Sequence, residues 1–233
     1  MVQFLSLIMM GFWAVTRLGR TRLSRSRQEN TLNTNLGHMI LFCEGLTEKI
    51  YFEYFTKIIK KNKFNDVKIE IESADGNTSR VLKFADEYLS SEDNNRKYGN
   101  HKKYLVFDCD APPNIQKIID KICLSENGYE MLVSNCIFET WLLMHFENVT
   151  EKISKKTTYT HLSEHLSKDY AKATEGVIRE IIQKGSVEEA IRNAESLAEK
   201  YSKEGKNIYS SIGQMNPYTN INILVEQLLA VIS

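Results

Sequence analysis

Residues 103–110, KYLVFDCD, decide the fold. Tyr104, Leu105, Val106 and Phe107 form a short continuous apolar run, the pattern of a strand buried on both faces. It ends in two aspartates one residue apart. Strand side chains alternate, so Asp108 and Asp110 point to one side and Cys109 to the other. Pro112 and Pro113 stop the strand, and Pro113 suits the first turn of a helix running to about Glu126.

Upstream the same grammar recurs. Residues 38–43, HMILFC, are another buried-strand run, and Glu44-Gly45 follows it directly. Residues 47–61 carry Ile50, Tyr51, Tyr54, Phe55, Ile58 and Ile59 at helical spacing. Residues 67–72, VKIEIE, alternate like a half-exposed strand, and Asp75-Gly76-Asn77 marks a turn. Residues 78–89 form the next helix, and 90–102 a polar loop. Downstream, 129–133 is a short strand and 138–146 a mostly apolar helix. The order β-α-β-α-β-α-β-α argues for a doubly wound, mainly parallel sheet flanked by helices over residues 38–150.

Residues 151–233 change character and are expected to form a helical C-terminal elaboration. Stretches 160–184 and 186–204 have helical composition. Ser186 with Glu189 makes a capping-box pattern ahead of the apolar face Val187, Ala190, Ile191, Ala194, Leu197 and Tyr201. Asn216-Pro217 breaks the chain before a last amphipathic helix at 220–232.

With 233 residues, 42% of them hydrophobic, the chain can bury a core without staples. The 30 basic and 30 acidic residues cancel, so bulk charge announces no nucleic-acid binder. Residues 1–37 depart from the average, with five arginines and one glutamate, net +4, against −4 for the remainder. Their apolar start, MVQFLSLIMMGFWAV, precedes rather than follows the basic run, the reverse of a secretory leader, and is shorter than the ~20 residues that span a bilayer. The expectation is an extension or a misplaced start, then a flexible basic arm, in a cytoplasmic protein without stable membrane insertion. Four cysteines without CxxC spacing fit buried thiols in a reducing compartment.

In an open α/β sheet, ligands bind beyond the carboxyl ends of the strands. Glu44 and the Asp108/Asp110 pair both fall there. Carboxylates so placed form a hard oxygen site suited to Mg²⁺ (or Mn²⁺), which keeps several waters and takes substrate phosphates as further ligands. Glu139, between Phe138 and Trp141 in an apolar helix, requires a partner because an unpaired buried charge is costly. Two placements answer that: a lysine or arginine from the C-terminal helices, or the acidic site itself. His145 on an apolar face is expected to be structural, and His161 with His165 lacks a third metal ligand. Lys49, Arg80 and Lys102, with Lys103, are the candidate contacts to a phosphate backbone.

Glu44-Gly45 with Asp108-x-Asp110 resembles the Toprim signature of topoisomerases, primases, recombination proteins and OLD-type nucleases. Residues 134–146, SNCIFETWLLMHF, resemble the S-N-P-x-F-E-x-W-L-L-x-H-F block of the RloB-like family of bacterial defence proteins, with Cys136 where that block has proline. Asn216-Pro217-Tyr218-Thr219 resembles the family's late N-P-x-T element. The likeness covers roughly residues 38–230, and the first 37 have no counterpart in it. It implies a Toprim-like fold and metal-dependent cleavage of nucleic acid, DNA or RNA, in antiphage defence or abortive infection. By position it implies Glu44 as acid/base or shared metal ligand, Asp108 and Asp110 as metal ligands and Glu48 as a further one, although Glu48 equally suits a favourable anion in the first turn of its helix. Glu139, from its own place near the end of the preceding strand, is a candidate further metal ligand or supporting base.

Two other functions compete with an endonuclease. A non-catalytic sensing or assembly module is expected to have lost a carboxylate, whereas Glu44, Asp108 and Asp110 are all present. A primase- or topoisomerase-like phosphoryl transferase needs a catalytic tyrosine domain, zinc module or nucleotide loop, none of which is evident. A haloacid-dehalogenase phosphatase places its DxD after the first strand, not the third. The sequence has no G-x-x-x-x-G-K-[ST] motif, so nucleotide-driven control is expected from a partner, a separate ATPase or restriction-system protein.

Overall fold

The computed structural model describes residues 37–62, 68–74, 76–109 and 114–232. Asp110, Pro112 and Pro113 therefore lie outside the described residues, as does the arm expected at 1–37 apart from Gly37. Strands β1 (His38–Cys43), β2 (Lys68–Ser73), β3 (Lys102–Asp108) and β4 (Tyr129–Asn135) form a parallel sheet, and β5 (Tyr218–Thr219) closes one edge antiparallel. The order across the sheet is β2-β1-β3-β4-β5. The expected α/β class, a mostly parallel sheet with helices on both faces, is the class observed.

Period-two alternation sorts the strand residues between two cores. Met39, Leu41 and Cys43 of β1, Tyr104 and Val106 of β3, and Leu132 of β4 face one side. There they meet α1 (Leu46–Lys61), α5 (Glu139–Leu143), α6 (Lys155–Leu166), α7 (Glu175–Lys184), α8 (Val187–Lys203) and α9 (Asn222–Ile232). Ile40, Phe42, Leu105, Phe107 and Val133 face the other side, against α2 (Thr78–Ser90) and α4 (Ile115–Cys123). Burial on both faces explains why β1 and β3 read as unbroken apolar runs.

Three departures from the expected elements have physical reasons. The polar loop at 90–102 contains a short helix, α3 (Glu92–Tyr98). Acidic Glu92 and Asp93 at its start and basic Arg96 and Lys97 at its end suit the helix dipole, and only Tyr98 is buried. Such a helix leaves no apolar period to find. The single helical stretch expected at 160–184 is two helices, α6 and α7, parted at Ser167, whose φ of 54° is left-handed.

The third departure is β5, a strand inside the supposedly all-helical elaboration. Its pairing is enforced by side chains. Asn220 Oδ1 accepts from Val133 N at 2.6 Å and Asn220 Nδ2 donates to Met131 O at 2.9 Å, so the amide extends the ladder of β4. Ser134 Oγ and Thr219 Oγ1 meet at 3.0 Å, and Asn135 Nδ2 donates to Ile212 O at 2.6 Å. The Asn135–Cys136 and Asn216–Pro217 peptides are both cis. The N-P-Y-T segment thus fastens the C-terminal helices to the sheet. Asn220→Ala leaves a buried donor and a buried acceptor on β4 unpaired, and is expected to cost on the order of 2 kcal/mol. Unchanged denaturant stability in that variant would show the clamp to be dispensable.

Candidate acidic site at the carboxyl edge of the sheet

Parallel pairing aligns Cys43 with Val106 and Asp108 with Ser134, so β1 and β3 end side by side. The chain beyond β1 stays attached, because Glu44 N donates to Val106 O at 2.9 Å. Glu44 Oε2 in turn accepts from Asp108 N at 3.2 Å and from Thr78 Oγ1 at 3.3 Å. Thr78, the first residue of α2, also donates to Asp108 O at 2.9 Å. One hydroxyl therefore ties the two acidic strand ends together.

Alternation sends Asp108 to the opposite face from Cys109, which lies in the second core. On its own face Asp108 is 6% exposed. Glu48 arrives from the first turn of α1 and Glu139 from the start of α5; they are 2% and 0% exposed. Gly45 permits the approach of Glu48, since a Cβ there would lie 3.1 Å from Glu48 Oε2. Glu48 Oε2, Asp108 Oδ1 and Glu139 Oε2 are all buried and have no hydrogen-bond partner.

Three buried carboxylates whose charges act on one another carry an electrostatic penalty. Burial, then the charges of Glu48, Glu44 and Glu139, hold the Asp108 carboxyl well above the usual range, against the pull of Lys172. Burial, with the Glu139 and Glu44 charges, pushes Glu48 up to about 7, although its own backbone amide and Lys172 oppose the shift. Among the described residues, no three His, Cys, Asp or Glu side chains are gathered at metal-ligand spacing.

The opposite wall comes from the segment joining α6 and α7. Glu139 Oε1 accepts from the Tyr170 hydroxyl at 3.1 Å and pairs with Lys172 Nζ at 3.7 Å. Burial lowers the Lys172 pKa, but Glu139, Tyr159, Glu48 and Asp108 outweigh it and the net shift is upward. Both sequence placements of Glu139 thus hold together. It has a lysine from the C-terminal half, and it stands beside Asp108 and Glu48. Tyr170 and Lys172 were not found from sequence, because the polar stretch around them carries no motif and resembles helix surface.

Of the candidate phosphate contacts, Lys49 is half-buried beside Glu48 in α1, and Arg80 is exposed in the first turn of α2. Lys102 is a correction. It opens β3, six residues before Asp108, and at ~3.3 Å per residue lies about 20 Å away on the amino edge of the sheet. Lys103 is buried there, with Nζ donating to Gly99 O at 2.8 Å and His101 O at 3.3 Å. His145 is structural. Its Nε2 meets the Tyr51 hydroxyl at 3.1 Å and its Nδ1 lies 3.0 Å from Trp141 O, while burial drives its pKa down to about 4. His161 Nδ1 and His165 Nε2 each contact a Glu147 oxygen at 2.9 Å, so their shared helix face is occupied by a carboxylate.

The family model described as RloB-like protein matches residues 39–228, most of the chain and all of the elements around the acidic site. No curated protein and no solved structure matches. Among the described residues no helix is long and apolar enough to cross a membrane.

Proposed function

The chain belongs to the RloB-like family, and from that premise we propose that it is a metal-dependent endonuclease of Toprim-like fold, acting on DNA or RNA in antiphage defence. The observation that carries the proposal is the set of orphaned oxygens on Glu48, Asp108 and Glu139 at the carboxyl edge of a parallel sheet. Natural proteins seldom leave buried carboxylate oxygens unpaired unless a water, an ion or a functional role accounts for them. A Mg²⁺ or Mn²⁺ ion fits that donor set. It needs only one or two protein carboxylates, since water and phosphate oxygens complete its shell. One or two of Glu48, Asp108 and Glu139 would hold it, since no three of the described acids lie at ligand spacing, with Glu44 nearby and Asp110 expected two residues beyond Asp108.

When bound, such an ion lowers the pKa of water and offsets the charge developing on a phosphoryl group. The remaining work falls to the chain. Glu44 is half-buried at the mouth, and its Oε2 is aimed by Thr78 and the Asp108 amide. That fixed, partly solvated carboxylate is suited to take a proton from an attacking water. Lys49 and Arg80 flank the same edge as cations for the phosphate backbone. A cytoplasmic setting, and a separate ATPase or restriction-system partner that controls the enzyme, belong to the same proposal.

The test uses end-labelled duplex DNA, single-stranded DNA and total RNA, incubated with pure protein in Mg²⁺, Mn²⁺ or EDTA. Cleavage of one class is expected only with a divalent cation, and Glu44→Gln is expected to reduce it about a hundredfold or more. Activity surviving in excess EDTA would overturn the metal assignment. No cleavage of any substrate under any cation would favour a sensing or assembly module instead.

A further inference from the structure

Residues 167–174, between α6 and α7, hold an unusual path without glycine or proline. Ser167 has φ 54° and Ala173 φ 56°, both in the left-handed region. For residues with a Cβ that region is strained. Such conformations persist only where surrounding contacts over-determine them, and those contacts are visible. Tyr170 N donates to Ser163 Oγ at 2.9 Å, Ala173 N donates to Thr47 Oγ1 at 3.2 Å, and Lys168 pairs with Glu180. Thr47 adjoins Glu48, so the strap is fastened to the same helix turn that supplies an acidic side chain.

The consequence is asymmetric treatment of one carboxylate. Glu139 Oε1 receives the Tyr170 hydroxyl at 3.1 Å and the Lys172 ammonium at 3.7 Å, whereas Oε2 is buried and unpartnered. We infer that Tyr170 is a positioning residue for the acidic site: with Lys172 it claims Oε1 of Glu139 and leaves Oε2 as the oxygen offered to a divalent cation. This rests on the metal-binding reading above. A carboxylate held by one oxygen presents the other in a fixed direction, which is what groups hydrogen-bonded to a metal ligand do. Tyr170 suits the task because a phenol hydroxyl is a donor at physiological pH and carries no charge of its own. Lys172 compensates part of the charge that Glu48, Asp108 and Glu139 bring together, and its side chain is 46% exposed at the edge of the site.

Tyr170→Phe removes the hydroxyl with no change of net charge and little change of shape, so its effect on cation affinity reports the lost hydrogen bond to Glu139. Mn²⁺ is titrated calorimetrically into the full chain without nucleic acid, for wild type, Tyr170→Phe, Glu139→Gln and the double variant. Tyr170→Phe is expected to weaken Mn²⁺ binding about tenfold. In the Glu139→Gln background the same change is expected to have no further effect, because Tyr170 acts through Glu139. Melting temperatures in EDTA, measured alongside, separate loss of fold from loss of the site. Wild-type affinity in Tyr170→Phe, or a tenfold loss that persists in the double variant, would overturn the inference while the metal reading stood. Absence of Mn²⁺ binding by the wild type would overturn both.

Discussion

Asp108→Asn is expected to abolish metal-dependent cleavage, by about a thousandfold or more, while the metal-free protein melts at or above the wild-type temperature when assayed at pH 8. The loss follows from chemistry. Asn retains size and one acceptor, but it supplies no negative charge to a cation and cannot replace the buried Oδ1 as an ionic ligand. The stability follows from electrostatics. In the metal-free fold Asp108 is buried among the charges of Glu48, Glu44 and Glu139, which hold its carboxyl well above the ordinary range. Its folded pKa is raised, so it favours folding at low pH and disfavours it once pH passes that folded value. A neutral side chain removes the penalty. Stabilisation by Mn²⁺ should shrink in the same variant, because the ion loses a ligand. Specific activity per folded molecule, with melting curves in EDTA and in Mn²⁺, decides the matter. A variant that cleaves at the wild-type rate would remove Asp108 from the site, and one that merely unfolds would make it structural.

The sheet and two acidic strand ends could be read in advance because each left a local mark. HMILFC before Glu44 and KYLVF before Asp108 are runs that only strands covered on both faces require, and the sheet obliges with a core on each side. Adjacent parallel strands then had to bring Glu44 and Asp108 together, as the hydrogen bond between Asp108 N and Glu44 Oε2 records. Glu139 was visible as an acid in an apolar helix, whereas Glu48 was singled out only by its place in the family resemblance. The remainder was hidden for equally physical reasons. Tyr170 and Lys172 belong to a strap whose bend uses Ser167 and Ala173 instead of glycine, so no turn signal marks it. Strand β5 is two residues long, and Asn220 beyond it extends the ladder with both its backbone N–H and its side-chain amide, which no strand pattern announces. Lys102 was assigned to the wrong edge although it precedes KYLVF in the chain and so had to open the strand at its amino end, away from Asp108.

Glu48 gives the second large effect, a stability that depends on pH in the direction opposite to that of an ordinary paired carboxylate. In the unfolded chain Glu48 titrates near the ordinary 4.5 of a glutamate; in the fold, burial and then the Glu139 and Glu44 charges raise it to about 7. Between those values the folded protein holds a proton that the unfolded chain has released. Stability from this group is therefore fully present below pH 4.5 and is lost as pH rises through 7. A shift of that size corresponds to about 3 kcal/mol. For a domain of this length that amounts to roughly 6–12 °C in Tm. Asp108 shifts in the same direction and Glu147, held by His161 and His165, in the opposite one, so the wild-type profile alone does not isolate Glu48. Glu48→Gln does, since it mimics the protonated acid at every pH. In EDTA the two proteins are expected to melt together at pH 4.5 and to diverge by pH 8, with the Gln variant the more stable. Saturating Mn²⁺ should narrow or reverse the gap, because the cation binds the ionised carboxylate and gives the wild type a ligand that Gln lacks. Parallel melting profiles for the two proteins from pH 4.5 to 8 would show that Glu48 is already ionised in the metal-free fold, and burial beside the Glu139 and Glu44 charges would then not hold its proton.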